Sequence, residues 1–421
     1  MVKFDLMFHV VRTDKEIYSL KERKLPKDFY HLKRDNNPLR EDAFTLSCLG
    51  KVQPASSSDF LRCRAYLSTL INGSTVENEI DHQVLIIGLT ESGIIPALLM
   101  YIETLARNLD ASILYSTRRP LSGIAFKEIH SHGPDHILPL EKSGRFINCK
   151  GGEKIEASSF KEIWIVEDEI TSGNTVYNLM VQLCGYFEIS RVRVFAFADF
   201  RDSEKKSDFD LKTSMNNIYC TVHTLDSISE DAISSNSIKP NGYFSNTNSH
   251  KADIKNNRSK LFNSIQNCAC NGWHLPLKRP ALTMQSGNFI DSTISNLPYH
   301  KLSSEWISAQ AAPNRRRTIL AVGEAIDLAA CFALSDEHIR FQQISLSPWQ
   351  IDNSSIFSRI SFADRYYLYN YEQLKNSDLY PIFILCDPID KQIEQEAILK
   401  LGEFGIEIKP IFEPIELYEI P

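Results

Sequence analysis

The chain has 421 residues with a formal net charge of -7; 43% are hydrophobic and 24% charged. That length suggests two or three domains of ordinary soluble composition and excludes collagen-like, wholly disordered and membrane-embedded classes. The acidic balance argues against a duplex nucleic-acid binder, which depends on cationic contacts to phosphate. Nine scattered cysteines point to a reducing, cytoplasmic setting.

The first 60 residues give few signals beyond a turn at Asn37-Pro38 and a Leu49-Gly50-Lys51 step, and the start carries no leader-like pattern. Val84 to Gly88 then reads as a buried parallel strand, followed by helical apolar spacing over Ile94 to Leu109. Strands are expected at Ala111 to Tyr115, Ile163 to Val166, Arg191 to Ala198 and Ile218 to Leu225, with a helix from about Thr175 to Tyr186. Strands alternating with helices imply a mostly parallel sheet. From Ser227 to Ser264 there are nine Ser and seven Asn in 38 residues, too few apolar groups for a core. We expect a linker at 227–264 between a domain spanning 1–226 (core about 35–225) and one spanning 265–421. In the latter, strands are predicted at Thr318 to Val322, Ile339 to Ile344, Pro381 to Cys386 and Ile406 to Ile411. Helices are predicted at Ala325 to Leu334 and Ile393 to Leu401, giving a second, smaller, Rossmann-like α/β unit.

Chemistry concentrates in Ile163-Trp164-Ile165-Val166-Glu167-Asp168-Glu169-Ile170-Thr171-Ser172-Gly173-Asn174-Thr175. A buried strand ends in two acids, and a turn of small polar residues opens a helix. Ligands of open α/β sheets bind beyond the carboxyl ends of the strands, and a helix start offers N–H groups to an anion. Gly173 allows a phosphate close to the backbone, while the carboxylates of Glu167 and Asp168 can accept from a sugar diol. A bland alternative is an acidic strand end with ordinary helix capping.

This segment resembles the phosphoribosyl pyrophosphate (PRPP) signature of type I phosphoribosyltransferases, with Glu167 where Asp is common. The resemblance implies a phosphoribosyltransferase-like parallel sheet flanked by helices. It gives Glu167 and Asp168 to the ribose, and Thr171, Ser172, Gly173, Asn174 and Thr175 to the 5-phosphate. It also gives Thr90, Glu91, Ser92 and Gly93, between Gly88 and the next helix, to pyrophosphate. Type I enzymes carry a charged lid where this chain has Tyr115 to His136. Arg118 and Arg119 would there clamp pyrophosphate, with Glu128, His130 and His132 supplying proton transfer or contacts. On residue types alone, His130, His132 and His136 also admit a zinc reading, although Cys268 and Cys270 lie far off in sequence.

More closely, Gly88 to Gly93, Thr117-Arg118 and Phe126 to His132 resemble the orotate-phosphoribosyltransferase-like domain of tellurite-resistance-associated stress operons. Asn37-Pro38 and Leu49-Gly50-Lys51 resemble its amino-terminal segment, which makes Lys51 a candidate phosphate contact. In that family a carboxyl-terminal domain named for a Thr-Arg-Ser-Pro (TRSP) motif follows; here the motif reads Ser345-Leu346-Ser347-Pro348. Glu324, Ser345, Ser347 and Asp364 are the second unit's candidates, for a further small-molecule site or a docking face, or else as caps and turn residues.

The resemblance implies a Mg2+-dependent enzyme that displaces pyrophosphate from PRPP with a base-like acceptor, or runs the reverse. It further implies a nucleotide- or nucleoside-like product and often a homodimer. No nucleic-acid or membrane partner is expected. The competing expectation is a PRPP- or nucleotide-sensing scaffold without turnover.

Overall fold

The computed structural model describes residues 29–35, 42–74, 83–107, 109–118, 123–126, 136–138, 145–147, 154–156, 160–225, 284–285, 288–289, 303–312, 315–376, 379–387 and 390–411. The Ser/Asn-rich segment expected as a linker lies outside them, as do Asn37-Pro38, Cys268 and Cys270.

The chain opens with an antiparallel pair, β1 (Phe29–Lys33) and β2 (Asp42–Leu46), then α1 (Ser57–Gly73). Asp59 accepts from the Ser56 backbone N–H at 2.7 Å, closing the first turn of α1. There follow β3 (Gln83–Gly88), α2 (Ile94–Ala106) and β4 (Ala111–Tyr115). Short hairpins pair β5 (Ile124–Phe126) with β6 (His136–Leu138) and β7 (Arg145–Ile147) with β8 (Lys154–Glu156). The unit ends with β9 (Phe160–Ile170), α3 (Asn174–Phe187), β10 (Arg191–Asp199), α4 (Ser203–Met215) and β11 (Tyr219–Thr224).

Five strands form one parallel sheet in the order β11-β10-β9-β3-β4. The chain winds from β3 to β4 in one direction and from β9 through β10 to β11 in the other. The sheet therefore switches direction between β3 and β9, and the carboxyl ends there diverge to leave a crevice.

The second unit adds β12 (Met284–Gln285), β13 (Asn288–Phe289), α5 (Ser304–Ala311), β14 (Arg317–Val322), α6 (Ile326–Ser335) and β15 (Ile339–Ile344). A hairpin of β16 (Arg359–Phe362) and β17 (Tyr366–Tyr369) precedes β18 (Ile382–Leu385), α7 (Lys391–Glu403) and β19 (Ile408–Pro410). Its sheet is parallel, in the order β15-β14-β18-β19. The molecule is thus α/β throughout, with a second, smaller parallel sheet.

The two sheets share a central helical layer. Leu179, Met180 and Leu183 of α3 cover one face of the first sheet against Leu85, Ile87 and Ile165. The other face packs under α1 and α2 in a core that also takes in Ile326, Ala329, Phe332 and Ala333 of α6 and Ile319, Phe341 and Phe383 of the second sheet. This explains why α2 is apolar over most of its surface: Ile95, Leu98, Leu99, Met100 and Ile102 are all buried, and its one acid, Glu103, is paired with Arg64 and Arg107. Ile393, Ala397 and Leu401 of α7 cover the outer face of the second sheet. A backbone stitch reinforces the join: Ala55 N donates to Phe341 O at 2.7 Å, and Gln343 N donates to Gly50 O at 2.9 Å.

The strand expected at 163–166 runs longer, to Ile170. Its partner β10 continues the ladder through Ala196 opposite Glu167 and Asp199 opposite Ile170. The acid pair therefore rides on the last turns of the ladder and is held straight by it.

Candidate functional site

The crevice is built from the ends of β3, β9 and β4. Gly88 aligns with Val166 on one side and with Tyr115 on the other. A Cβ at Gly88 would lie 2.7 Å from Ala97 Cβ; one at Gly93 would lie 2.6 Å from Leu89 N and 2.8 Å from Val166 O. Only glycine lets the 89–93 turn fold this tightly against the end of β9. One residue beyond Val166 come Glu167 and Asp168, 9% and 6% exposed. Asp168 Oδ1 accepts from Glu169 N at 2.9 Å, and Glu169 faces Arg34 at 3.5 Å.

Thr171, Ser172 and Gly173 make the bend into α3. Gly173 has φ of 79°, in the left-handed region that favours glycine. Ser172 Oγ accepts from Asn174 N at 3.3 Å. The first-turn N–H groups of a helix find no partner within it, so this bend suits an anion. Thr171, Ser172, Asn174 and Thr175 are all half-buried at its mouth.

Across the crevice, Glu91 holds φ of 70°, a conformation that costs a non-glycine residue about 1 kcal/mol or more. Such strain collects at ligand clamps. Thr90 N donates to Ser116 Oγ at 2.8 Å, while Thr90 Oγ1 is buried with no partner among the described residues. Two cations face this turn. Arg118 Nε lies 3.4 Å from Glu91 Oε1. Lys51, only 2% exposed, donates from Nζ to Ser92 Oγ at 2.7 Å and to Ser347 Oγ at 3.3 Å, 5.6 Å from the Trp349 ring centre. Its hydrogen-bonding partners among the described residues are neutral hydroxyls. A buried ammonium held this way is poorly compensated by its described neighbours, which suits the spot to an anion.

The structure therefore brings together Glu167, Asp168, Thr171, Ser172, Gly173, Asn174, Thr175, Thr90, Glu91, Ser92, Gly93, Lys51 and Arg118. Arg119, Glu128, His130 and His132 lie outside the described residues. His136 is buried, with Nδ1 3.0 Å from Ser116 Oγ and its ring on Phe126. Among the described residues no group of three or more His, Cys, Asp or Glu is arranged to hold a metal ion. Glu324 reaches this crevice: its carboxylate accepts from Thr117 Oγ1 at 2.7 Å and from Arg118 N at 2.9 Å. Ser345 pairs with Tyr367 through both backbone groups, and Asp364 is exposed in the β16–β17 turn at φ of 59°.

Arg201 went unnoticed in the sequence. It follows β10 and takes both carboxylate oxygens of Asp199, at 2.9 and 3.0 Å. Its guanidinium lies 4.6 Å from the Phe209 ring centre, and Phe209 packs on Gly173. Nη1 is buried without a partner among the described residues. Burial works to raise the Asp199 pKa, but hydrogen bonds and charge from Arg201, with Lys206, hold it below the usual carboxylate range. The available signal was Asp199-Phe200-Arg201 at a strand's carboxyl end.

Residues 30–228 match the model of a family described as phosphoribosyl transferase. Residues 30–228, a little under half of the chain, are thus a phosphoribosyltransferase-like domain. By that class the protein is an enzyme. Solved structures similar to it include adenine phosphoribosyltransferase from Saccharomyces cerevisiae, at 14% identity over 47% of this chain and 93% of that one, TM-score 0.29. The enzyme from Leishmania tarentolae gives 12% identity over 49% and 87%, TM-score 0.30. No curated protein matches the chain. Among the described residues no helix is long and apolar enough to cross a membrane.

Proposed function

We propose that the crevice binds PRPP and transfers its phosphoribosyl group to a base-like acceptor. In this reading the C1–oxygen bond to pyrophosphate breaks, a nitrogen of the acceptor bonds to C1, and the acceptor's proton leaves. Glu167 and Asp168 accept from the ribose hydroxyls. The 171–175 bend takes the 5-phosphate, with Arg201 behind Gly173. Thr90 to Gly93, Lys51 and Arg118 take the pyrophosphate, whose charge grows as it departs. Catalysis rests on positioning and on charge stabilisation at the leaving group. The buried Lys51 ammonium, whose hydrogen-bonding partners among the described residues are hydroxyls, is the observation that carries the reading.

Mg2+ fits without a protein cage, since it commonly binds through substrate oxygens and water with one or two carboxylates; Glu167 and Asp168 are the residues to hold it. When bound, it supplies charge neutralisation on pyrophosphate. Arg119, Glu128, His130 and His132 keep their roles as candidate clamp and proton-transfer groups. The resemblance to the stress-operon branch supports a nucleotide- or nucleoside-like product, a cytoplasmic setting, a carboxyl-terminal TRSP-type domain after a linker near 227–264, and a homodimer.

Pyrophosphate release from PRPP, measured across a panel of base-like acceptors, tests the reading. Asp168→Asn is expected to lower turnover about 100-fold or more with the fold intact; unchanged turnover sinks the assignment. PRPP binding without release by the wild type favours a sensor.

A further inference from the structure

The two cations that face the 89–93 turn, Lys51 and Arg118, are held from across the boundary between the two sheets. Arg118 sits where Glu324 fixes the chain. One Glu324 oxygen accepts from Thr117 Oγ1 and the other from Arg118 N, while the Arg118 side chain points its Nε at Glu91. Lys51 is set by Ser347 and Trp349, which lie just after β15. The backbone before Lys51 is tied to β15 through Gln343 N and Gly50 O.

We infer that Glu324 and Ser347 are positioning residues of the transferase site, so that the carboxyl-terminal unit is a working part of that site. This rests on the PRPP reading above. Glu324 follows Gly323, at φ of 59°, in the turn from β14 to α6. Because α6 is packed into the core with α1 and α2, the Glu324 backbone has little freedom, and its carboxylate offers a fixed anchor. Two hydrogen bonds to one ionised group fix Thr117 and Arg118 more firmly than neutral partners would. The geometry also separates two jobs. Glu324 takes the backbone of Arg118 and leaves the guanidinium to face the turn where pyrophosphate would lie. Ser347 likewise takes one direction of the Lys51 ammonium and leaves another toward Ser92. A long cationic side chain that is already oriented loses less freedom when the anion arrives.

The test uses the full-length chain and calorimetric titration with PRPP and Mg2+, on wild type, Glu324→Gln, Glu324→Asp, Thr117→Val, Ser347→Ala, the Glu324→Gln/Thr117→Val double variant, and Asp168→Asn as a marker of the crevice. Glu324→Gln is expected to raise the PRPP dissociation constant about tenfold, the usual scale for a lost charged hydrogen bond. Glu324→Asp should recover part of that. The double variant should bind no more weakly than Glu324→Gln alone, because both changes remove one link. Ser347→Ala should weaken binding a few-fold. A purely structural Glu324 would lower the melting temperature without this non-additive pattern in affinity.

Glu324→Gln binding within twofold of wild type, while Asp168→Asn loses binding, would overturn the inference and leave the transferase reading standing. Fully additive effects would overturn it equally. A wild type that does not bind PRPP removes both. If Glu324→Gln fails to fold, Thr117→Val and Ser347→Ala decide alone: wild-type affinity in both overturns the inference.

Discussion

Gly93 offers a sharp test of how the crevice is built. A methyl there would stand 2.6 Å from Leu89 N and 2.8 Å from both Leu89 O and Val166 O, all of them backbone atoms. No rotamer change relieves such contacts. Reaching an ordinary contact of 3.4 Å requires Gly93 to move off Leu89 N by about 0.8 Å and the turn to part from the end of β9 by about 0.6 Å. Overpacking of this kind costs about 1–3 kcal/mol. Displacement on that scale at reacting groups costs roughly 100-fold in rate. Gly93→Ala should therefore lower the denaturant midpoint modestly and weaken PRPP turnover far more than the stability change alone explains. Gly185, within α3, is the internal control, since a Cβ there meets nothing within 4 Å. Gly185→Ala should add about 0.5–1 kcal/mol of stability and leave turnover unchanged. The pair is read by urea unfolding and pyrophosphate release. Wild-type activity in Gly93→Ala would refute the claim that the turn and the β9 end form one rigid crevice.

Two further outcomes follow from the same packing. His223 lies on β11 against Phe195, where burial and the nearby Arg193 push its pKa down to about 4, with Glu162 opposing. The folded state refuses a proton that the unfolded chain takes up near pH 6.5, so stability should fall as pH drops from about 6.5 towards 4 and gain no further loss from this group below that. His223→Gln should flatten that part of a stability-versus-pH curve, and an unchanged slope would count against the burial account. Phe341 is fully buried, pairs with Phe60 at 6.2 Å and closes over Gly50. Phe341→Ala should cost about 3–5 kcal/mol, and because its core is shared by both sheets, wild-type calorimetry should show one main transition. Two well-separated transitions would contradict the shared core.

Much of this was legible in the sequence, for identifiable reasons. Strands buried on both faces, such as Val84 to Gly88 and Ile382 to Leu385, are continuous apolar runs, and the structure places them within a residue or two of the expected bounds. The acid pair and the bend at Gly173 were readable because a single short segment carries them. Other elements were missed. The apolar stripe of α1, Phe60, Cys63, Leu67, Leu70 and Ile71, is diluted by Arg, Ser and Thr, although Ser56 and Asp59 mark its start. Helix α4 buries only Phe209 and Thr213, too little for a period to show. The longest reach of the site escaped sequence reasoning entirely. Nothing local says that Ser347 lies 3.3 Å from Lys51, or that Glu324 accepts from Thr117, since these contacts join residues 296 and 207 positions apart. They exist only because α6 packs into the same helical layer as α1 and α2.

A thermal-shift titration with PRPP and Mg2+, on wild type and on Glu167→Gln/Asp168→Asn, tests the central claim most directly. A ligand at 100 times its dissociation constant adds about 2.7 kcal/mol of stability, well within reach of the method. The expected result is a concentration-dependent rise in wild type that the double variant loses while its unliganded melting temperature stays close to wild type. An equal shift in both proteins, or none in either, would contradict a PRPP site at the end of β9.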